Sequence, residues 1–317
     1  MRNLLLTFVI VGASVVGVPG VAARQQPVFR ATGDAVRIFV SVLDRDGRLV
    51  TTLTRQDFEV RDEGKPQPIT LFDNSPQPIR LIVMLDVSGS MAGNLPLLRD
   101  ASQQLFTRLD PRDAAVVGSF GKDVTIGTAF THDPRELMRD LPTAIAPDAP
   151  TPLWSALDEG MDALKRDGGG RAVILVLSDG KDSGPIGFRR RVGSQVGVIE
   201  RARNEDVMIY AIGLRSRGQR PSVPGIGPGG LQAALTADLP DPGLARVAEE
   251  TGGGYAEIRF GQDLGEAFAQ VVNELHSQYL LGYPPPRRDG KAHDVEVRVT
   301  QKGMKPRARK SYVAPKE

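Results

Sequence analysis

Two stretches of this chain are apolar at every position for the length of a β-strand: Leu81–Leu85 and Ala172–Leu177, which reads AVILVL. A strand with one face in water alternates apolar and polar residues. A strand with no polar alternation is buried on both faces, which in a soluble domain means a parallel sheet covered by helices on each side. The segments between and after these runs fit that demand. Leu95–Leu109 is predicted as a helix, Ala114–Phe120 and Val124–Phe130 as strands, and Leu153, Leu157, Met161 and Leu164 recur at helical spacing. Val196–Arg203 reads as the end of a helix, Val207–Leu214 as a strand, Leu244–Glu250 as a short helix and Tyr255–Ile258 as a short strand. Leu264, Phe268, Val271, Val272 and Leu275 make a final amphipathic helix. Alternating strands and helices with right-handed crossovers give an α/β fold, a doubly wound, mostly parallel sheet.

The flanks follow a different period. Val36, Ile38, Val40 and Val42 alternate with other residues, as do Phe58 and Val60, and Ile69 and Leu71 begin a third run. Asp44-Arg45-Asp46-Gly47 and Asp62-Glu63-Gly64 are turn signals, and Pro66, Pro68, Pro76 and Pro78 keep helices out. At the other end Val295, Val297 and Val299 alternate, Gln301-Lys302-Gly303 turns, and Arg307–Val313 reads as a returning strand. Neither flank has enough strands to bury both faces of a sheet. The expected organisation is therefore a doubly wound domain at 79–279 inserted in a β-sandwich built from strands at 35–78 and 280–314.

The amino terminus reads as an address. Arg2 precedes an apolar run from Leu4 to Val18, followed by Pro19-Gly20-Val21-Ala22-Ala23. A positive start, an apolar core of about 15 residues and small residues before a cut match a secretory signal peptide. The run is short for a membrane-spanning helix, the rival reading, which needs roughly 20 residues. Cleavage is expected near Ala23, leaving a secreted or periplasmic chain with no membrane span in its mature part.

Composition narrows the chemistry. No Cys excludes disulfides, thiolate metal sites and Cys nucleophiles, and three His leave little room for a His-rich site. Forty Lys+Arg against 38 Asp+Glu is near balance, so no nucleic-acid partner is expected. The work falls to hydroxyls, carboxylates and backbone. Parallel strands deliver their last residues to the crevice where wound sheets bind ligands. The first apolar strand ends Asp86-Val87-Ser88-Gly89-Ser90, and the second ends Ser178-Asp179-Gly180. Pro150-Thr151-Pro152 precedes a helix between them. Asp86, Ser88, Ser90, Thr151 and Asp179 thus form an all-oxygen set suited to a hard dication: Mg2+, with Mn2+ or Ca2+ as substitutes. Two carboxylates balance the charge, and hydroxyls and water leave the metal electrophilic enough to take a carboxylate from a partner.

Each of these residues has a plainer role open to it. Asp86, Ser88, Ser90 and Thr151 are helix-capping types, and Asp179 before Gly180 is a turn signal. Trp154 beside Thr151 reads as core or as part of the rim. Gly225-Ile226-Gly227-Pro228-Gly229-Gly230 lacks the strand–turn–helix setting of a dinucleotide loop and reads as a loop within the Gly/Pro-rich stretch 215–242. Asp44–Gly47 opens like a calcium loop, but Arg55 stands where the closing Glu belongs. Arg189-Arg190-Arg191 reads as a solvated face. No G-x-S-x-G elbow is present and no His has the context of a base, so enzymatic activity is not expected.

The pattern Asp86-x-Ser88-x-Ser90, then Thr151, then Asp179 resembles the metal-ion-dependent adhesion site of the von Willebrand factor type A family. The likeness covers about 200 residues of the central zone. Small residues and Pro stand before Thr151 where the family often has Gly. The flanks resemble the bacterial von Willebrand factor A-related Acidobacterial subgroup through Leu53-Thr54-x-x-Asp57-Phe58-x-Val60, Gln278–Tyr283 (QYLLGY) and Arg309–Tyr312 (RKSY). The resemblance implies a Rossmann-like sheet that binds a protein ligand presenting Asp or Glu through a divalent cation. The alternative implied role is a structural or assembly subunit of an envelope complex, with a metal that only ties loops together.

Overall fold

The computed structural model describes residues 35–168, 170–183, 193–215, 240–259 and 263–316. The expected leader, the Arg189–Arg191 cluster and the Gly225–Gly230 motif lie outside the described residues.

At the centre is a six-stranded sheet. Its strands are β5 (Ile79–Asp86), β6 (Ala114–Phe120), β7 (Val124–Ile126), β8 (Arg171–Ser178), β9 (Met208–Leu214) and β10 (Tyr255–Ile258), in the order β10-β9-β8-β5-β6-β7. All pairings are parallel except β6 with β7, which is antiparallel. The two fully apolar runs are the neighbours β5 and β8, in register from Ile79 opposite Arg171 to Leu85 opposite Leu177.

Side chains of these strands alternate between two cores, which is why the runs Leu81–Leu85 and Ala172–Leu177 carry no polar position. Leu81, Val83, Leu85, Val173, Leu175 and Leu177 meet helices α1 (Leu95–Phe106), α2 (Pro134–Arg139) and α6 (Leu264–His276) on one face. Ile82, Met84, Ile174 and Val176 meet α3 (Leu153–Asp167), α4 (Gln195–Asn204) and α5 (Pro242–Thr251) on the other. The doubly wound sheet expected from the sequence is the one observed.

Several predicted boundaries move. The helix expected to reach Leu109 stops at Phe106, where the Thr107 hydroxyl donates to the Gln103 and Gln104 carbonyls and ends the ladder. The strand expected through Phe130 ends at Ile126, and beyond it only Gly127 and Thr131 still bond to the β6 backbone. Gln195–Asn204 is a complete helix rather than a helix end: the Ser194 hydroxyl accepts from the Gly197 N–H at 3.1 Å and starts it. The run Arg307–Val313 breaks into β13 (Lys305–Arg307) and β14 (Ser311–Val313), which pair with different sheets.

Those sheets are the two halves of the β-sandwich. One has the order β13-β1-β11-β4, with β1 at Val36–Leu43, β4 at Leu71–Asp73 and β11 at Tyr279–Tyr283. The other has the order β14-β12-β2-β3, with β2 at Phe58–Asp62, β3 at Lys65–Gln67 and β12 at Ala292–Val299. Each sheet mixes strands from before and after the wound domain. Ile38, Val40 and Val42 fill the sandwich core with Phe58, Val60, Tyr279 and Tyr283. The Asp44–Gly47 segment is a hairpin turn in which the Asp44 carboxylate accepts from the Asp46 and Arg48 N–H groups.

A buried polar knot closes the sandwich. Asp62 accepts from the Tyr283 hydroxyl at 2.9 Å and the Tyr312 hydroxyl at 2.6 Å, and its other oxygen meets His293 at 3.1 Å. Burial, reinforced by donation to Asp62, pushes both tyrosine hydroxyls well above their ordinary range.

The alternate residues of β1 face the wound domain. Phe39 packs on the core that holds α6. Ser41 donates to Glu274 near the end of that helix at 2.6 Å, as does the Tyr210 hydroxyl, and Arg307 pairs with the same carboxylate. The last helix residue, His276, meets the buried Asp113 at 2.8 Å.

Candidate functional site at the carboxyl ends of strands β5 and β8

Asp86 is the last residue of β5 and is fully buried. Its two oxygens are divided between two loops. One accepts from the Ser88 N–H at 2.8 Å, folding the chain back immediately after the strand. The other accepts from the Ser178 hydroxyl at 2.5 Å, across from the end of β8. Ser88 is buried and Ser90 is exposed, and their hydroxyl oxygens lie 3.1 Å apart. Ser90 then donates to Asp179 at 2.7 Å. One chain of contacts therefore runs from Asp86 through Ser88 and Ser90 to Asp179, closing 89 residues of sequence separation between Ser90 and Asp179.

Thr151 enters from a third loop. The Gly89 N–H donates to the Ala149 carbonyl at 3.0 Å, drawing this loop against the serines. The approach needs glycine: a Cβ at residue 89 would stand 1.8 Å from the Pro147 carbonyl oxygen. Ser183 clamps Thr151 at both backbone groups, accepting from its N–H at 2.7 Å and donating its own N–H to its carbonyl at 2.9 Å. The Thr151 hydroxyl lies against Gly180, 3.1 Å from where a Cβ would be, next to Asp179. Helix α3 begins after Pro152, which occupies the cap position, and a 3-10 turn over Gly89–Asn94 has Ser88 at its cap with no side-chain capping bond. All five predicted residues thus gather on three adjoining loops. Trp154, the other residue weighed at this rim, is core, 6% exposed and packed against Gly243.

The electrostatics are those of two acids sharing a water-poor corner. Burial raises the Asp86 pKa to about 6, and the nearby Asp179 charge adds to the rise, while bonds from Ser178 and Ser88 oppose it. Burial raises Asp179 as well, against the bond from Ser90. One Asp179 oxygen, Oδ2, is buried with no hydrogen-bond partner among the described residues. A buried acceptor without a donor costs on the order of 1–3 kcal/mol. Two carboxylates, one of them with an orphaned oxygen, and three hydroxyls are a donor set that fits a hard cation. Among the described residues no group of three or more His, Asp or Glu is arranged to hold a metal ion, so a cation here would rely on hydroxyls beside the two acids.

Sequence reasoning missed Ser178 and Ser183. Ser178 was hidden as the last residue of an apolar strand, and its place directly before Asp179 was the available signal. Ser183 sits in a polar loop with no periodic pattern, and only the contact with Thr151 reveals it.

No curated protein matches the sequence. Among solved structures, the chain is similar to the conserved hypothetical protein BatB from Bacteroides thetaiotaomicron at 15% identity, over 62% of this chain and 98% of that one, with a TM-score of 0.41. It is similar to the von Willebrand factor domain of the type V pili tip protein Mfa5 from Porphyromonas gingivalis at 12% identity, over 62% and 95% of the two chains, with a TM-score of 0.46. A third likeness is to the SpRpn10 VWA domain, at 15% identity over 61% and 95%, with a TM-score of 0.40. The family model of the von Willebrand factor type A domain matches residues 81–181, a span that holds all five site residues. The wound sheet with its strand-end loops agrees with this match, which covers the segment from β5 to the loop after β8.

Proposed function

We propose that this protein is an exported protein-binding module. In this reading Asp86, Ser88, Ser90, Thr151 and Asp179 hold a divalent cation, Mg2+ or in its place Mn2+ or Ca2+, and a partner's Asp or Glu completes the contact. The observation that carries the reading is the orphaned, buried Oδ2 of Asp179 beside a second buried carboxylate. Burial raises the pKa of both carboxylates, and a dication answers both deficits at once. When bound, the cation supplies an electrophilic point for an incoming carboxylate. The chain's own residues do the rest. Ser178 orients Asp86, Ser90 orients Asp179, and Ser183 fixes the loop that carries Thr151. The reading assigns the chain no catalytic step. The signal peptide belongs to the same proposal. Among the described residues no helix is long and apolar enough to cross a membrane.

Calorimetric titration with MgCl2 or MnCl2 tests the metal. Saturable uptake that disappears in Asp86→Ala is the expected result, and unchanged uptake in that variant overturns it. A parallel capture from envelope extract, in Mg2+ and in EDTA, tests the partner. Release of the bound protein by EDTA is expected. Retention together with a fall in thermal stability would favour the assembly role, in which the metal only ties loops together.

A further inference from the structure

A second recess lies at the opposite edge of the central sheet, where the amino ends of β8 and β9 meet the sandwich. It is a cleft of about 320 Å3, with Arg37, Phe39, Arg171, Met208, Leu280 and Arg309 among its walls. Phe39 and Leu280 stand opposite each other in the β1–β11 pairing and give it an apolar side. The three arginines come from separate parts of the chain: β1, the first residue of β8 and the link between β13 and β14.

Arg171 is the unusual one. Its guanidinium donates to the Leu275 carbonyl at 2.8 Å and to the Gln278 side chain, and it lies 4.1 Å over the Phe39 ring. These partners are all neutral. Among the described residues Arg171 makes no ion pair, and its Nε–H is buried with no acceptor. Burial draws its pKa down to about 10. A largely desolvated guanidinium whose hydrogen-bond partners are all neutral, with Glu274, Asp113 and Asp206 acting on it without direct contact, is costly to keep.

Two acids, Glu205 and Asp206, also line the cleft, and each is ion-paired, although the second Glu205 oxygen is buried without a hydrogen-bond partner. Glu205 pairs with Lys165 and Arg201, and Asp206 pairs with Arg309. Arg309 also donates to the Arg37 carbonyl, and its own Nε is buried without an acceptor. The Arg37 side chain is exposed and makes no ion pair among the described residues. After this internal pairing, Arg37 is left without an ion pair among the described residues and Arg171 keeps one N–H without an acceptor, both beside an apolar wall.

We infer that this cleft binds a small organic acid, its carboxylate set between Arg37 and Arg171 and its apolar body against Phe39 and Leu280. The size suits a ligand with a single ring or a short aliphatic chain, and planar guanidinium groups suit a carboxylate head. The site stands apart from the strand-end acids: Arg171 opens β8, whereas Asp179 follows its last residue. Its occupancy is therefore independent of divalent metal, and its failure would leave the metal-binding proposal untouched.

The test uses the full chain in EDTA, with benzoate and hexanoate as probes, benzamide as the uncharged control and inorganic phosphate as the anion without an apolar body. Binding is followed by ligand-observed NMR and calorimetry. Saturable binding of benzoate or hexanoate is expected, unchanged by Mg2+, absent with benzamide and weakened about tenfold in Arg37→Gln. Arg37 is exposed, so this variant keeps the fold, and a circular dichroism spectrum matching wild type verifies that. Binding that does not saturate, that is equal for benzamide, or that persists at full strength in Arg37→Gln overturns the proposal. Tight phosphate binding without benzoate binding overturns the organic-acid class.

Discussion

The two ends of strand β8 bury charge of opposite sign by opposite means. At its carboxyl end, Asp179 and the neighbouring Asp86 are two like charges set side by side, each steadied by hydroxyl donors. At its amino end, Arg171 is a lone cation steadied by a carbonyl, an amide oxygen and an aromatic face. The acids carry a strain that neutralising one of them would relieve. Arg171 is woven into the hydrogen bonds of its neighbours, so removing it would leave acceptors bare. The same burial therefore has opposite consequences for mutation, because stability depends on what each group's neighbours lose with it.

The largest effect expected is at the basic end. Arg171→Ala strips the donors from the Leu275 carbonyl and the Gln278 oxygen and removes the stack on Phe39. A loss of about 3–5 kcal/mol is expected from urea unfolding. An unchanged midpoint would break the contrast.

Asp86→Asn should act in the opposite direction in metal-free protein. The folded-state pKa of about 6 lies above the unfolded value of 3.8. The folded chain then binds the proton more tightly, so this group's stabilising share is full below pH 4 and is lost as pH rises to about 6. At pH 7 the ionised, buried Asp86 costs about 3 kcal/mol. The neutral amide is expected to recover part of that in EDTA while abolishing cation uptake. Thermal melts from pH 4 to pH 7 check it: the wild type should lose stability across this window relative to the variant.

Cation uptake by the wild type sharpens the same point. It should weaken up to about tenfold for each pH unit below about 6, because Asp86 must release its proton first. A flat calorimetric profile from pH 7 to pH 5 would remove Asp86 from the ligand set.

The smallest effect expected belongs to Ser90→Ala. The side chain is exposed, and the variant loses one donor to Asp179, about 1 kcal/mol by urea unfolding in EDTA. Its effect on Mg2+ affinity should exceed its effect on stability, and the reverse order would mark Ser90 as a scaffold residue.

The sequence was most readable where burial was complete. β5 and β8 declared themselves because the middle of a strand enclosed on both faces has no polar residue, and the site followed because an aspartate ends β5 and another directly follows β8. Legibility fell where local chemistry decided. Helix α2 went unseen because its six residues bury only Leu137, too little for a periodic face. The last run was read as one strand because Arg307–Val313 carries no break in hydropathy. What divides it is the crossing from β1 to β12 as pairing partner, a long-range fact. Ser178 was given no role because its partner is 92 residues away.

The interleaving of the sandwich strands has a consequence for how the chain is made. β1 lies between β11 and β13, and β2 lies between β3 and β12, so most of their pairing partners emerge from the ribosome about 240 residues or more after them, as with Val40 and Tyr279 or Val42 and Pro306. The wound domain is contiguous and can condense while synthesis continues, whereas the first strands must wait as open edges until the last are released. Ordering of the sandwich is then the slow, late event that such distant pairings impose, and the interval before it is when the nascent protein is most exposed to mispairing with other chains.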